Sequence, residues 1–293
     1  MYRLGYNTNG LAHHRPADAL TLLAELGYQG VAITPDVGAL DPLRIDVDGG
    51  EVRDLRARAA DLGLSLAIET GARYVLDPRR KHRPSLLEED GAERLRRVDF
   101  LRRSIDLAHA LGASVVSIWS GAAPAPMSGD TLDPAHEPVW ERLTQSLVPV
   151  LDHARDHGVF VAFEPEPGMF VERPAGYLEL VRRLGDRGNE LGLTLDVGHL
   201  LVTRDIPVGA AIRSLARHLV HVHLDDIAGG VHDHRMFGEG ELDLREVLSA
   251  LHDVGYAGMA AVELSRDSYR GPQAAQEAMT HLRAATPAGG RSC

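Results

Sequence analysis

Four short apolar runs end on a carboxylate: Ser65-Leu-Ala-Ile-Glu69, Val161-Ala-Phe-Glu164, Leu193-Thr-Leu-Asp196 and Ala260-Ala-Val-Glu263. A fifth run, His221-Val-His223-Leu-Asp-Asp226, carries two imidazoles. In an extended chain, side chains alternate between faces. Glu164 therefore shares a face with Ala162 and Phe160, Asp196 with Thr194 and Gly192, and Glu263 with Ala261 and Met259. The opposite faces carry Val161 and Phe163, Leu193 and Leu195, and Ala260 and Val262, the side chains a strand would pack against helices. His221 and His223 share a face; His223 is nearer the strand end and is the better ligand.

Ionised carboxylates brought together out of water repel one another and shift upward in pKa unless a cation compensates. Glu164, Asp196, His223 and Glu263 form an oxygen-rich set with one nitrogen and no thiolate. That chemistry suits one divalent metal ion, Mn²⁺ first, with Mg²⁺, Co²⁺ and Zn²⁺ as alternatives. Taken singly, each position has a plainer role, an acid as helix cap or a histidine as a satisfied core residue. Ligand-type residues at corresponding ends of four separate runs outweigh those readings.

Positioning such a set needs strands that end side by side. Eight β-rich runs alternate with amphipathic segments: Arg3–Tyr6, Gly30–Thr34, Leu64–Glu69, Ser114–Ile118, Val159–Glu164, Leu191–Asp196, Val220–Leu224 and Met259–Glu263. Helical stretches close on a repeated phrase, Leu26-Gly27, Leu62-Gly63, Leu111-Gly112, His157-Gly158 and Val254-Gly255, where a left-handed glycine stops the helix just before the next strand. Eight β-then-α units predict an α/β fold, a (β/α)₈ TIM barrel in a single domain spanning 1–285, with 286–293 as a flexible tail. A doubly wound open sheet is the rival, and no G-x-G-x-x-G follows the first strand. In a barrel, active-site residues sit at the C-terminal ends of strands, where the carboxylates fall.

With 31 Lys and Arg against 42 Asp and Glu, the net charge of −11 opposes sustained contact with nucleic acid. Hydrophobic residues at 44% and charged residues at 25% are ordinary for a globular chain with a real core. The one cysteine, Cys293, forms no intrachain disulfide, the first ten residues lack the apolar segment of a signal peptide, and no run has the ~18 apolar residues of a membrane span. A cytoplasmic location, without membrane partners, is the expectation.

Further residues could face a substrate. Glu69 ends the third strand, and the segment from it to His82 holds Arg73, Arg79, Arg80 and Lys81, a basic run in an acidic protein that suits a phosphate or carboxylate. A solvated basic loop or a subunit contact explains the same run equally well. Trp119, before Ser120-Gly121 and the loop Ala122-Ala-Pro-Ala-Pro126, either stacks on a sugar ring or fills the rim. The turn Asn7-Thr-Asn9-Gly10, with His13 and His14, either closes one side of a pocket or is simply good turn chemistry.

Leu195-Asp-Val-Gly-His199 resembles the D-x-G-H phrase at strand six of the xylose-isomerase-like barrel superfamily, which includes sugar epimerases, inosose dehydratases and the endonuclease IV type of repair enzyme. His221-Val-His-Leu-Asp-Asp226 resembles its H-x-H-x-x-D, and Phe237-Gly-Glu-Gly-Glu-Leu-Asp243 the phrase before its seventh helix. The resemblance runs from Tyr2 to about Ala284 and implies the same ligands, Glu164, Asp196, His223 and Glu263. It further implies that Glu164 and Glu263 handle a carbon-bound proton through an enediolate, and that His199 and His234 contact substrate. One departure stands out: family epimerases often carry a second glutamate several residues past the strand-five ligand, whereas here Glu166 is two residues on and Phe170 holds the later place. Glu166 is therefore a substrate contact or a competing ligand.

The implied activity is a metal-dependent isomerase or epimerase acting on a polyhydroxylated carbonyl compound, neutral or anionic, in a chain that forms homodimers or homotetramers. The alternatives are an inosose-dehydratase-like lyase on the same scaffold, a metal-dependent hydrolase of the AP-endonuclease kind, and a non-catalytic metabolite-binding barrel. The hydrolase would need histidines on strands two and three, which end on Ala32-Ile-Thr-Pro35 and Glu69.

Overall fold

Gly27, Gly63, Gly112, Gly158 and Gly255 all take positive φ, between 65° and 95°. At Gly27, Gly112 and Gly158 the N–H turns back onto carbonyls of the last helical turn, so the stop written in the sequence is the stop the chain makes. The computed structural model describes residues 1–71, 73–122 and 133–286. The expected tail beyond Thr286 and the loop residues 123–126 lie outside these.

In chain order the elements are β1 (Arg3–Asn7), α1 (Pro16–Leu26), β2 (Gly30–Ile33), α2 (Gly50–Asp61), β3 (Ser65–Glu69), α3 (Gly91–Leu111), β4 (Val115–Ile118), α4 (Glu137–His157), β5 (Phe160–Phe163), α5 (Pro174–Leu184), β6 (Leu191–Asp196), α6 (Val197–Val202), α7 (Val208–Leu215), β7 (Leu219–Leu224), α8 (Leu244–Asp253), β8 (Met259–Val262) and α9 (Gly271–Ala285). The strands close in the order β1 to β8, giving a (β/α)₈ barrel. Each strand lies within about a residue of its sequence-derived bounds. Glu164 and Glu263 fall just past β5 and β8, although their N–H groups still donate to the Ile118 carbonyl at 2.7 Å and the Leu224 carbonyl at 3.0 Å. Among the described residues, no helix is long and apolar enough to cross a membrane.

Packing divides the chain into two compact units, with β3 and β6 contributing residues to both. The first comprises Met1–Ile33, Ala57–Leu66 and Thr194–Cys293. In it β7, β8, β1 and β2 pair in parallel, and the register sets Gly5 beside both Gly30 and Ala261, and His221 beside Met259. Neither glycine has room for a side chain: a Cβ on Gly5 would sit 2.6 Å from the Met259 sulfur, and one on Gly30 2.6 Å from its methyl carbon. The missing Cβ atoms at Gly5 and Gly30 make space for the buried Met259.

The second unit comprises Thr34–Arg56 and Ala67–Leu193. Its strands β3, β4 and β5 and the first half of β6 pair in parallel. Against them α3 and α4 pack side by side, burying Phe100, Leu101, Leu107, Trp140, Leu143 and Leu147 completely. These apolar stripes recur at helical spacing, which is why both segments form long helices, of 21 residues each.

Candidate metal centre

The register of β7 on β8 pairs His223 with Ala261 and Leu224 with Val262. Glu263 is two residues past Ala261 and so points to the same side as His223. His223 Nδ1 lies 3.0 Å from Glu263 Oε2. The other carboxylate oxygen, Oε1, accepts from Asn9 Nδ2 at 2.7 Å, so Asn9 turns Oε2 toward the imidazole.

Asp196 ends β6 and caps α6, with Oδ1 accepting from the His199 N–H at 2.9 Å. The cap fixes the carboxylate plane and aims Oδ2 at the histidines, 3.7 Å from His223 Nδ1 and 3.7 Å from His199 Nε2. Asp196 Oδ2 is buried and accepts no hydrogen bond among the described residues. A buried carboxylate oxygen without a donor is costly. Here it stands with an imidazole nitrogen and the carboxylate of Glu263, a donor set that fits a divalent cation.

Electrostatics agree with that fit. Burial pushes Asp196 upward, but the imidazoles of His199, His234 and His223 outweigh it and hold the group below the usual carboxylate range. Glu263 is likewise opposed by burial and then pulled far down by His223 at contact distance. His199 is brought down to about 4, by burial first, with Asp196 opposing and His232 and His234 adding to the shift. It is therefore neutral near pH 7, and a neutral imidazole can donate or accept a hydrogen bond.

A second layer fixes this arrangement. Asp225, fully buried, accepts from the Gly198 N–H at 3.1 Å and pairs with His234 Nδ1 at 2.8 Å. Burial, helped by Asp196, raises Asp225 well above its ordinary value. His234 is raised well above its own, the pull of Asp225 overcoming burial. A Cβ on Gly198 would collide with the Asp225 carboxylate, so the glycine of Asp-Val-Gly-His lets α6 sit against β7. His232 Nε2 meets His199 Nε2 at 2.9 Å, where one ring must carry the shared proton. His199, His232 and His234 thus form a group of three imidazoles. Beside them Asp226 accepts from the N–H groups of Ile227, Gly238, Gly240 and Leu242 at 2.8–3.0 Å, folding the segment before α8 around one carboxylate.

The second unit holds the other expected residues. Glu164, 5% exposed, follows β5, and Glu69, 5% exposed, ends β3. Glu166 is half-buried in the turn after β5, its N–H donating to the Val171 carbonyl at 3.1 Å. Trp119 is buried; its ring lies 4.5 Å from the Arg97 guanidinium carbon and meets His82 edge-on at 5.1 Å. Burial brings Arg97 down to about 10. Arg73 is half-buried and Arg79 exposed. Two cations near them are ion-paired, Arg80 with Asp77 of the same loop and with Glu93 of α3, and Arg83 with Glu88.

The profile of the xylose isomerase-like TIM barrel family matches residues 20–285. The chain belongs to that family. It is similar to an uncharacterised protein of Methanocaldococcus jannaschii, 27% identical over 58% of this chain and 58% of that one, so the match spans little more than half of that relative. It is similar along most of its length to fructoselysine 3-epimerase of Shigella flexneri, 24% identical over 90% of this chain and 91% of that enzyme. The solved structure of IolI with a bound zinc atom superposes with a TM-score of 0.76 at 18% identity, covering 97% of both chains.

Within this xylose isomerase-like barrel, Asn9, Asp225 and His232 stand against the expected ligands and substrate contacts: Asn9 on Glu263, Asp225 beside His234, and His232 on His199. The sequence offers Asn9 in a turn that either closes one side of a pocket or is plain turn chemistry. Asp225 shares a strand face with His223, a signal that the alternation rule does supply.

Proposed function

We propose that the chain is a sugar epimerase or isomerase that moves a proton on a carbon next to a carbonyl, using one divalent metal held by Glu164, Asp196, His223 and Glu263. The observation that carries this reading is Asp196 Oδ2, buried without a hydrogen-bond donor among the described residues and 3.7 Å from His223 Nδ1, with Glu263 Oε2 3.0 Å from the same nitrogen. Mn²⁺ is the proposed metal, from the oxygen-rich donors; the zinc atom in the similar IolI structure supports metal binding in such a barrel. When bound, the ion would supply positive charge to the substrate oxygen that becomes negative as the carbon loses its proton.

The protein residues do the rest. Glu263, oriented by Asn9, takes or returns the proton at one face of the carbon, and Glu164 serves the other. Two carboxylates on opposite faces give inversion, which is epimerisation. His199, neutral and tied to His232, would hold a substrate hydroxyl without adding charge; Glu69, Glu166 and His234 are the further substrate contacts of this proposal. The similarity to fructoselysine 3-epimerase supports a polyhydroxylated ketone as substrate.

Mn²⁺ titration by calorimetry into chelator-stripped protein tests this. One Mn²⁺ per chain is expected, lost in Glu263→Ala, followed by deuterium incorporation from D₂O into ketoses at the carbon beside the carbonyl. A product 18 Da lighter would assign the inosose-dehydratase type of lyase instead. Absence of Mn²⁺ binding in folded protein rejects the mechanism.

A further inference from the structure

Away from this centre, α3 and α4 bring a second ligand set together. His153 and His157 are four apart on α4 and so occupy one helix face, opposite Asp106 of α3. His153 Nε2 lies 2.6 Å from Asp106 Oδ1, and His157 Nε2 is 3.4 Å from the same oxygen. One ligand atom from each of the three residues lies within 4.8 Å of the others. The side chains are 16%, 31% and 33% exposed for His153, His157 and Asp106, open enough for an ion to enter from solvent.

The tautomers favour a cation here. His157 Nδ1 lies 2.8 Å from the His153 carbonyl, which only accepts, so Nδ1 carries the hydrogen. In the neutral ring the lone pair is then on Nε2, aimed at a carboxylate oxygen. Two electron-rich atoms facing each other need a proton or a metal ion between them. A ring whose Nδ1–H is tied to a backbone carbonyl while Nε2 is left to coordinate is the usual arrangement of a metal-ligating histidine. His109, exposed on α3, repeats it: its Nδ1 donates to the His157 carbonyl at 2.9 Å, and the two rings meet edge-on at 5.4 Å.

We infer that Asp106, His153 and His157 form a second metal site, for a borderline ion of the Zn²⁺ class. Two imidazoles and one carboxylate are a zinc donor set, and three protein ligands leave a fourth position for water. The ion cross-links two helices at residues 47 apart in sequence or more. Its role is that of a staple for the α3–α4 pair, separate from the proposed catalytic ion.

Zn²⁺ titration of the stripped full chain tests the inference independently of the active-site reading. The wild type is expected to bind two ions, and the Asp196→Asn/Glu263→Gln double variant one. Adding His157→Gln to that double variant should abolish the remaining site, together with the Zn²⁺-induced rise in its denaturation midpoint. Because His157→Gln could unfold the chain, Asp106→Asn serves as a second probe, with circular dichroism confirming the fold. Unchanged Zn²⁺ stoichiometry in a folded His157→Gln or Asp106→Asn background would overturn the inference. So would failure of the folded Asp196→Asn/Glu263→Gln variant to bind Zn²⁺.

Discussion

Asn9 orients the Glu263 carboxylate, because donating to Oε1 at 2.7 Å turns Oε2 toward the imidazole of His223 at 3.0 Å. A hydrogen bond to a charged group contributes ~1.5–3 kcal/mol. Asn9→Ala should therefore slow turnover about tenfold or more, at 1.4 kcal/mol per factor of ten, while Mn²⁺ stoichiometry stays at one per chain. Steady-state kinetics beside calorimetry checks this; an unchanged rate would show that Glu263 is oriented without Asn9. At this scale, Asp196, His223 and Glu263 could be read from strand alternation alone, since the face that carries them is fixed by the aliphatic face behind it. The bond from Asn9 to Glu263 could not, because the two residues are 254 apart and a turn side chain has no periodicity to betray its direction.

Among the elements, the segment between β7 and α8 depends on one acid. Asp226 satisfies four backbone N–H groups that span Ile227 to Leu242, and its own backbone pairs with Arg235. Asp226→Ala leaves those donors with water at best, and should destabilise the chain by about 2–4 kcal/mol. Denaturant unfolding would show the loss, and faster amide exchange at 238, 240 and 242 would locate it. The segment's sequence, Gly-Glu-Gly-Glu-Leu-Asp, resembled a family phrase without disclosing its purpose. The purpose is steric and local: a Cβ on Gly240 would strike the Asp226 carboxylate. Strands and helix stops were legible because glycine conformation and alternation are short-range. The basic run after β3 was ambiguous for the opposite reason, since one carboxylate that pairs with Arg80, Glu93, arrives from α3.

For the whole molecule, ions bound only by the folded state contribute to its stability. A metal present at a hundred times its dissociation constant adds about 2.7 kcal/mol per site. Stripping both proposed ions should lower the denaturant midpoint measurably, and acidification should do the same because protons compete for the imidazoles. An equal midpoint before and after chelation would mean that neither site is filled tightly. The sequence disclosed the barrel because eight repeats of one unit average out local error. It also printed the His153-x-x-x-His157 spacing, but only the packing of α3 on α4 supplies Asp106.

Met259 fills the space that Gly5 and Gly30 leave empty. A side chain gained at either glycine has nowhere to go until the thioether retreats, and a smaller residue at 259 leaves a void until a glycine grows. Homologues should therefore exchange the three as a set, and a graft that carries one strand of this barrel into another would have to bring its neighbours with it.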